Sequence, residues 1–269
     1  MTGGDLYSRI APEYDALFPV DDSTVLFLLE EAGGAGAMCL DVGCGTGSHV
    51  KALLDRGAEA YGTDASEAMM ARSPLAGAVD NKGNPRVRVA DLFGSLYCFE
   101  AGFDLVYSIG NTISHLPTPE DAYDWAGAAQ GILKPGVGTL KPGGSLVLQY
   151  VEAGDLEVGA SKELPRLESP TLAVERTYRR VAEATAEFQA RVITSSGATD
   201  GPASAEEPAP EREPESFTTT LCVIDTARLS RRLYDAGYDD VRVLGGFSHG
   251  AVGLDGSWVR VVTARRPSH

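Results

Sequence analysis

Three carboxylates and three glycines are the residues best placed to do chemistry in this chain. Asp41 opens the run Asp41-Val42-Gly43-Cys44-Gly45-Thr46-Gly47, in which glycine recurs at every second position. A turn of that kind can tighten and come close to a ligand, because no side chain intervenes. The acid at its entrance disfavours a phosphate and favours a ligand bearing an ammonium or sulfonium group. Asp64 follows about 20 residues beyond the glycines, a spacing suited to binding both ribose hydroxyls of an adenosine. Asp91 is a third acid, placed after a third short strand-like stretch, and would otherwise cap the next turn. Further on, Gly110-Asn111-Thr112-Ile113-Ser114-His115-Leu116 supplies an amide with donor and acceptors at Asn111 and an imidazole at His115. Either group can orient a polar substrate, and the imidazole can also take a proton. A purely structural His115 is the competing reading.

Elements able to position these groups can be read from the apolar pattern. Strands are predicted over 38–42, 58–63, 87–90, 103–109 and 145–151, and helices over 23–31, 48–56 and 121–133. Asp41, Asp64 and Asp91 then stand at three successive strand ends, which in a parallel sheet share one rim. Pro12 suits the first turn of a short helix that carries Tyr7, Tyr14 and Phe18. Beyond 153 the period changes to alternation over 172–181, 184–194 and 217–224, which predicts an antiparallel insertion. The stretch 195–216, rich in proline and acid, has no means of packing and reads as a disordered hairpin tip. Asp225 caps a helix to Gly237, and strands at 241–244 and 258–264 close the list of elements. Leu133-Lys-Pro-Gly and Leu140-Lys-Pro-Gly form a short duplication expected to lengthen a surface loop, and Ser248-His249-Gly250 reads as a loop.

The run from Asp41 to Gly47 resembles the first motif of class I S-adenosylmethionine (SAM) methyltransferases, and the resemblance extends over most of the chain. It implies an α/β fold with a Rossmann-like seven-stranded sheet in the order 3-2-1-4-5-7-6 and an antiparallel β insertion after the fifth strand. The implied parts are an N-terminal helical cap at 1–37, a SAM-binding core at 38–152, the insertion at 153–224 and the end of the core at 225–269. By resemblance, Asp41, Gly43, Cys44, Gly45 and Gly47 approach the cofactor, Asp64 holds its ribose, and Ala65 and Met69 flank the adenine. Asp91 and Leu92 read the adenine edge, and Ser108 ends the fourth strand beside the cofactor. The helix Tyr7-Ser-Arg-Ile-Ala-Pro-Glu-Tyr-Asp is similar to the family's cofactor-covering helix, giving Tyr14, and after it Tyr7 and Arg9, a place at the methionine end; the alternative is that these aromatics only pin a surface helix. Gly110-Asn111-x-x-x-His115-Leu116 resembles the glycine and sarcosine N-methyltransferase branch. The residues ending the fifth strand, Gln149-Tyr150-Val151-Glu152, lack that branch's carboxylate-binding arginine, which argues against glycine as the acceptor.

The activity this implies is methyl transfer from SAM to a small molecule, most directly to an amine nitrogen, with Tyr14, Asn111 and His115 at the reacting centre. The alternatives are a small-molecule O-methyltransferase and a non-catalytic SAM-binding or interaction protein. A nicotinamide-dependent dehydrogenase fits less well: after Gly43 and Gly45 its third glycine position falls on Ser48. The net charge of −15 and pI near 4.7 exclude an extended basic surface and so argue against a nucleic-acid partner. No apolar run of membrane-spanning length and no leader pattern is visible, so a cytoplasmic protein without a membrane partner is expected. Cys39, Cys44, Cys98 and Cys222 have no paired spacing, and neither a metal site nor a disulfide is expected. The sequence gives no indication of oligomeric state.

Overall fold

The computed structural model describes residues 5–99, 102–130, 140–194, 213–247 and 258–268. The chain enters through α1 (Leu6–Ile10), a 3-10 turn at Ala11–Glu13 with Pro12 in its first turn, α2 (Tyr14–Leu17) and α3 (Asp22–Ala32). α3 begins where the Asp21 carboxylate accepts from the Thr24 amide and ends at Gly33, whose φ of 95° reverses the chain. Strands and helices then alternate: β1 (Met38–Val42), α4 (Ser48–Asp55), β2 (Glu59–Asp64), α5 (Glu67–Met70), β3 (Val87–Val89), α6 (Leu92–Ser95), β4 (Phe103–Ser108), α7 (Pro119–Ala128) and β5 (Leu140–Val151). Four strands follow, β6 (Ser161–Glu168), β7 (Leu172–Ala182), β8 (Thr185–Thr194) and β9 (Glu215–Cys222). The chain closes with α8 (Thr226–Asp235), β10 (Asp239–Leu244) and β11 (Val259–Arg265).

The main sheet has the order β3-β2-β1-β4-β5-β11-β10. With the four insertion strands set aside, this is the 3-2-1-4-5-7-6 arrangement. β1 runs parallel to both β2 and β4, so the loops after these strands meet at one rim, and β11 lies antiparallel to β5 and β10. β1 is buried on both faces: Leu40 and Val42 join the layer with Trp125 and Leu229, while Cys39 joins the layer with Val25, Leu28, Val50 and Leu53. Helices therefore cover both sides, and the central strands β1 and β4 are mostly apolar.

The second sheet, in the order β6-β7-β8-β9, is an antiparallel meander. Its inner face packs Leu172, Val174, Ala190 and Val192 against Leu6, Ile10 and Leu17 of the N-terminal helices. Each fully buried Leu or Ile contributes about 1.5–3 kcal/mol. Entry helices and insertion thus form one apolar unit above the rim of the main sheet.

Some boundaries differ from the sequence expectation for identifiable reasons. α7 starts at Pro119 because Thr118 and Asp121 form a reciprocal capping box two residues earlier than expected, and it stops at Ala128. β5 starts at Leu140, so the second Leu-Lys-Pro-Gly copy lies within a strand, its Leu140 paired with Phe103 ahead of a register shift. β6, Ser-Lys-Glu-Leu-Pro-Arg-Leu-Glu, was not anticipated; it is an edge strand whose Pro165 falls within a register shift between Leu164 and Leu167. Of the expected hairpin tip, residues 195–212 lie outside the described residues, and Glu215 and Ser216 are already in β9. The first Leu-Lys-Pro-Gly copy and Ser248-His249-Gly250 also lie outside the described residues. No helix among the described residues is long and apolar enough to cross a membrane.

Candidate active site

The rim opens at the turn after β1. Gly43, Gly45 and Gly47 have φ of 81°, 60° and 83°, a region that side-chain-bearing residues seldom adopt. Close approach fixes the first two as well. A Cβ on Gly43 would stand 2.2 Å from Thr112 Cγ2, and one on Gly45 would stand 3.2 Å from both Tyr14 Cε1 and Met69 Cε. The turn is anchored to the neighbouring strand, because the Gly43 and Cys44 amides both donate to the Thr63 carbonyl, at 2.7 and 2.9 Å. Cys44 is buried, its sulfur packed where Gly62 has no side chain.

Asp64, at the end of β2, accepts from the Gly45 amide through Oδ2 and from the Ser66 amide through Oδ1, both at 2.8 Å. Each oxygen can accept a further hydrogen bond, and Asp64 lines the cavity. Asp41 is 1% exposed, and its Oδ1 has no hydrogen-bond partner; the equally unpartnered Tyr107 hydroxyl lies near it, outside hydrogen-bonding geometry. Burial pushes the Asp41 carboxyl up to about 8, opposed by that hydroxyl and reinforced by the negative charge of Asp64.

Two cavities meet over this turn. One, of about 280 Å³, is lined by Tyr7, Tyr14, Asp64, Met69, Leu92 and His115 among others; Ala65, Gly43 and Gly45 also border it. The other, of about 370 Å³, is bounded by Asp41, Cys44, Thr46, His49, Gln149 and again Tyr14 and Gly43. The Tyr14 ring stands between them. Asp5 and Asp64 face the first cavity and Asp15, Asp21 and Asp41 the second, yet no Lys or Arg lines either among the described residues. The described residues also contain no cluster of His, Cys, Asp and Glu that would hold a metal.

A family model describing a methyltransferase domain matches residues 39–136, which span β1 to the segment after α7. Residues 39–136 are thus similar to a methyltransferase domain, and the sheet that contains them has the strand order of class I methyltransferases. The ubiquinone biosynthesis O-methyltransferase of Acinetobacter baumannii is 31% identical over 125 residues, 46% of this chain and 51% of that protein. The chain thus spans about half the length of the curated relatives it matches. A SAM-dependent methyltransferase from Clostridium acetobutylicum superposes with a TM-score of 0.69 at 14% identity, covering 98% of this chain and all of the other (100%). The sugar N-methyltransferase KedS8 from Streptoalloteichus superposes with a TM-score of 0.61 at 20% identity, covering 99% and 95%. At such identities the likeness is one of fold.

The two cavities fit SAM in two respects. The orphaned carboxyl oxygen of Asp41 suits a cationic group, and the two side-chain-free positions leave the turn open to a nucleoside. Of the residues anticipated from the sequence, Tyr14, Gly43, Gly45, Asp64, Ala65, Met69, Leu92 and His115 line the first cavity and Asp41 and Cys44 the second. Gly47 holds the turn, its amide donating to the Cys44 carbonyl at 2.9 Å. Asp91 is exposed and caps α6, its Oδ1 accepting from the Gly94 amide at 2.6 Å; its neighbours Ala90 and Leu92 line the cavity. Ser108 is buried and donates to the Val42 carbonyl at 2.8 Å, tying β4 to β1.

The corner after β4 holds the remaining groups. Asn111 sits at φ 68°, is 8% exposed, and has its amide engaged within the fold. Its Oδ1 accepts from the Val151 amide and the Ser114 hydroxyl, both at 2.9 Å, and its Nδ2 donates to Tyr178 Oη at 2.7 Å. It thereby joins the corner to β5 and to β7 of the insertion. The sequence reading aimed this amide at a substrate; in the fold it acts as a keystone. His115 Nε2 lies 3.0 Å from Tyr7 Oη, and the two rings meet edge to face. Burial lowers the His115 pKa, so the imidazole is neutral at pH 7. Arg9 faces away from the cavities and bonds Glu215 and Thr194 of the insertion. Asp5, Thr112 and Ser95 also border the first cavity and were not anticipated; they carry no local signal, since only the packed fold brings the start of α1, the end of α6 and the corner after β4 together.

Proposed function

We propose that this protein is a SAM-dependent methyltransferase of small molecules, with a hydroxyl oxygen as the acceptor. The observation that carries the reading is the pair of joined, acid-lined cavities at the glycine turn, free of Lys and Arg among the described lining residues. When bound, SAM supplies a methyl group on a sulfonium sulfur that is open to in-line displacement. Asp64 takes the ribose hydroxyls, Met69 and Leu92 flank the adenine, and Asp41 faces the cationic methionine end. Residues 38–152 hold the cofactor on this reading, 1–37 cap it, 153–224 cover it and 225–269 complete the sheet. Such a reaction needs no covalent protein intermediate. Catalysis rests on holding the nucleophile near attack distance and on excluding water, which the apolar contact between entry helices and insertion serves.

The same electrostatics restrict the acceptor. A carboxylate or phosphate on it would meet the Asp5 and Asp64 carboxyls with no cation in return, so the acceptor is uncharged at its reacting end. The curated O-methyltransferase, 31% identical over the matched region, favours oxygen. An amine nitrogen is the second reading. It draws on the full-length likeness to KedS8, named as a sugar N-methyltransferase, and on the wording of Gly110–Leu116.

Calorimetric titration with S-adenosylhomocysteine, beside NADH, tests the cofactor. Micromolar nucleoside binding without an NADH signal is expected, weakened about 100-fold in Asp64→Ala, because two charge-assisted hydrogen bonds at roughly 1.5 kcal/mol each are lost. Asp64→Asn, which keeps an acceptor for the turn, separates ligand loss from loop disorder. Binding of NADH, or of neither ligand to folded protein, would overturn the reading. Methyl transfer to any acceptor then separates the enzyme from a non-catalytic SAM-binding protein.

A further inference from the structure

Tyr7 of the entry helices and His115 of the α/β core come together from 108 positions apart in sequence. One sits on α1, which the apolar contact with the insertion holds over the rim; the other ends the 3-10 turn Thr112–His115 after β4. Both line the cavity that contains Asp64 and Gly43. Their contact of 3.0 Å is within hydrogen-bonding distance, and among the described residues no other side-chain hydrogen bond ties either ring to the protein. The titratable groups gathered around the pair are Asp5 on the entry to α1, Tyr14 on α2, Asp64 at the end of β2 and Tyr178 on β7. Burial holds Tyr7 and Tyr178 protonated and His115 neutral, while Asp5 favours an imidazolium. A neutral imidazole has one bare nitrogen, and in the tautomer protonated on Nδ1 that nitrogen is Nε2, which then accepts from the Tyr7 hydroxyl.

Resting on the reading of the protein as a methyltransferase, we infer that Tyr7 contacts the acceptor hydroxyl and passes its proton to His115. As the acceptor oxygen gains the methyl group, the methyl–sulfur bond breaks and its electron pair stays on sulfur. The acceptor proton moves to Tyr7 Oη, and the Tyr7 proton moves to His115 Nε2. The imidazolium then carries the positive charge that the sulfonium has lost, next to Asp5. An amine acceptor would need no such relay, because it attacks as the free base and sheds its proton to water afterwards. The pair is therefore matched to a hydroxyl.

The first arm of the test needs no acceptor. In protein labelled with 15N-histidine, the His115 resonances, identified by their loss in His115→Gln, are followed through a pH titration in the wild type and in Tyr7→Phe. If Tyr7 donates to Nε2, it stabilises the neutral ring, and Tyr7→Phe raises the titration midpoint. A midpoint that falls or stays unchanged overturns the relay. The second arm follows transfer of a labelled methyl group from SAM to catechol, 4-methylphenol and 2-phenylethanol, with benzylamine as the amine probe. Turnover of a hydroxyl probe should drop about 100-fold or more in His115→Gln and about tenfold in Tyr7→Phe, with the rising limb of the kcat–pH profile lost in the former. Transfer to benzylamine alone, no transfer to any hydroxyl probe, or kcat unchanged in both variants overturns the proposal. S-adenosylhomocysteine titration of the same samples distinguishes the two failures. Wild type that fails to bind it loses the methyltransferase reading itself, whereas intact binding with a failed relay loses only this inference.

Discussion

The two walls of the site are built by different means. The cofactor wall is backbone: three glycines at positive φ, anchored by amides on the Thr63 carbonyl and the Asp64 carboxylate, all within 22 residues of one strand–turn–helix–strand unit. The wall proposed for the acceptor is made of side chains from distant segments, Tyr7 on α1 and His115 after β4, with the Asn111–Tyr178 hydrogen bond behind it joining that corner to β7. Backbone geometry tolerates almost no substitution. A side-chain wall can be rebuilt one residue at a time.

The sharpest way to break this contrast is to add a single methyl group to the cofactor wall. Gly43→Ala forces a Cβ to 2.2 Å from Thr112 Cγ2 at a φ of 81°. Overpacking and left-handed strain each cost about 1–3 kcal/mol, so S-adenosylhomocysteine affinity should fall about a thousandfold by calorimetry. Adding Thr112→Gly removes the clash and leaves the strain. The double variant should therefore recover about half of the loss in free energy; if it recovers nothing, the Thr112 contact is not what keeps position 43 bare.

The contrast also explains what could be read in advance. The turn, its flanking strands and Asp64 announce themselves locally, because a glycine at every second position and an acid at a strand end have few other uses. β6 did not, since an edge strand interrupted by Pro165 and carrying charges on both faces has neither strict alternation nor a long apolar run. Asn111 was visible as a polar residue at the right corner, but its role was not. Only the packed fold brings the Val151 amide and the Tyr178 hydroxyl, 40 and 67 positions away, within reach of its amide. Asp91 and Ser108 stand where the pattern put them, while their side chains cap a helix and tie two strands.

Asn111 offers the next largest effect, this time behind the wall proposed for the acceptor. Asn111→Ala removes three buried hydrogen bonds and places a Cβ-bearing residue without compensating contacts at φ 68°. Urea unfolding should show a loss of about 2–3 kcal/mol. Acceptor turnover should fall while S-adenosylhomocysteine affinity changes less than about threefold, because the glycine turn is untouched. Asn111→Gly keeps the backbone conformation and loses only the bonds, so the difference between the two variants measures the strain. A large loss of nucleoside affinity in either would mean that the two walls are not independent.

The effect that is smallest per pH unit lies at Asp41, beside the glycine turn. Its carboxyl sits at about 8 in the unliganded fold against an ordinary value of 3.8, chiefly through burial. Between those two values the unfolded chain has released the proton and the folded chain still holds it. Stability must therefore fall as pH rises through this window, by no more than about 1.4 kcal/mol per pH unit from this group. Thermal melting of the unliganded protein compared with Asp41→Asn isolates the contribution, since the amide removes the titration while keeping the shape. A cationic ligand beside Asp41 reverses the sign: it favours the carboxylate, so SAM should bind with release of a proton and bind more tightly as pH approaches 8. Calorimetry in buffers of different ionisation enthalpy counts that proton directly. If none is released, or if Asp41→Asn releases as many, then the buried carboxylate belongs to the packing of β1 and not to the recognition of the cofactor's charge.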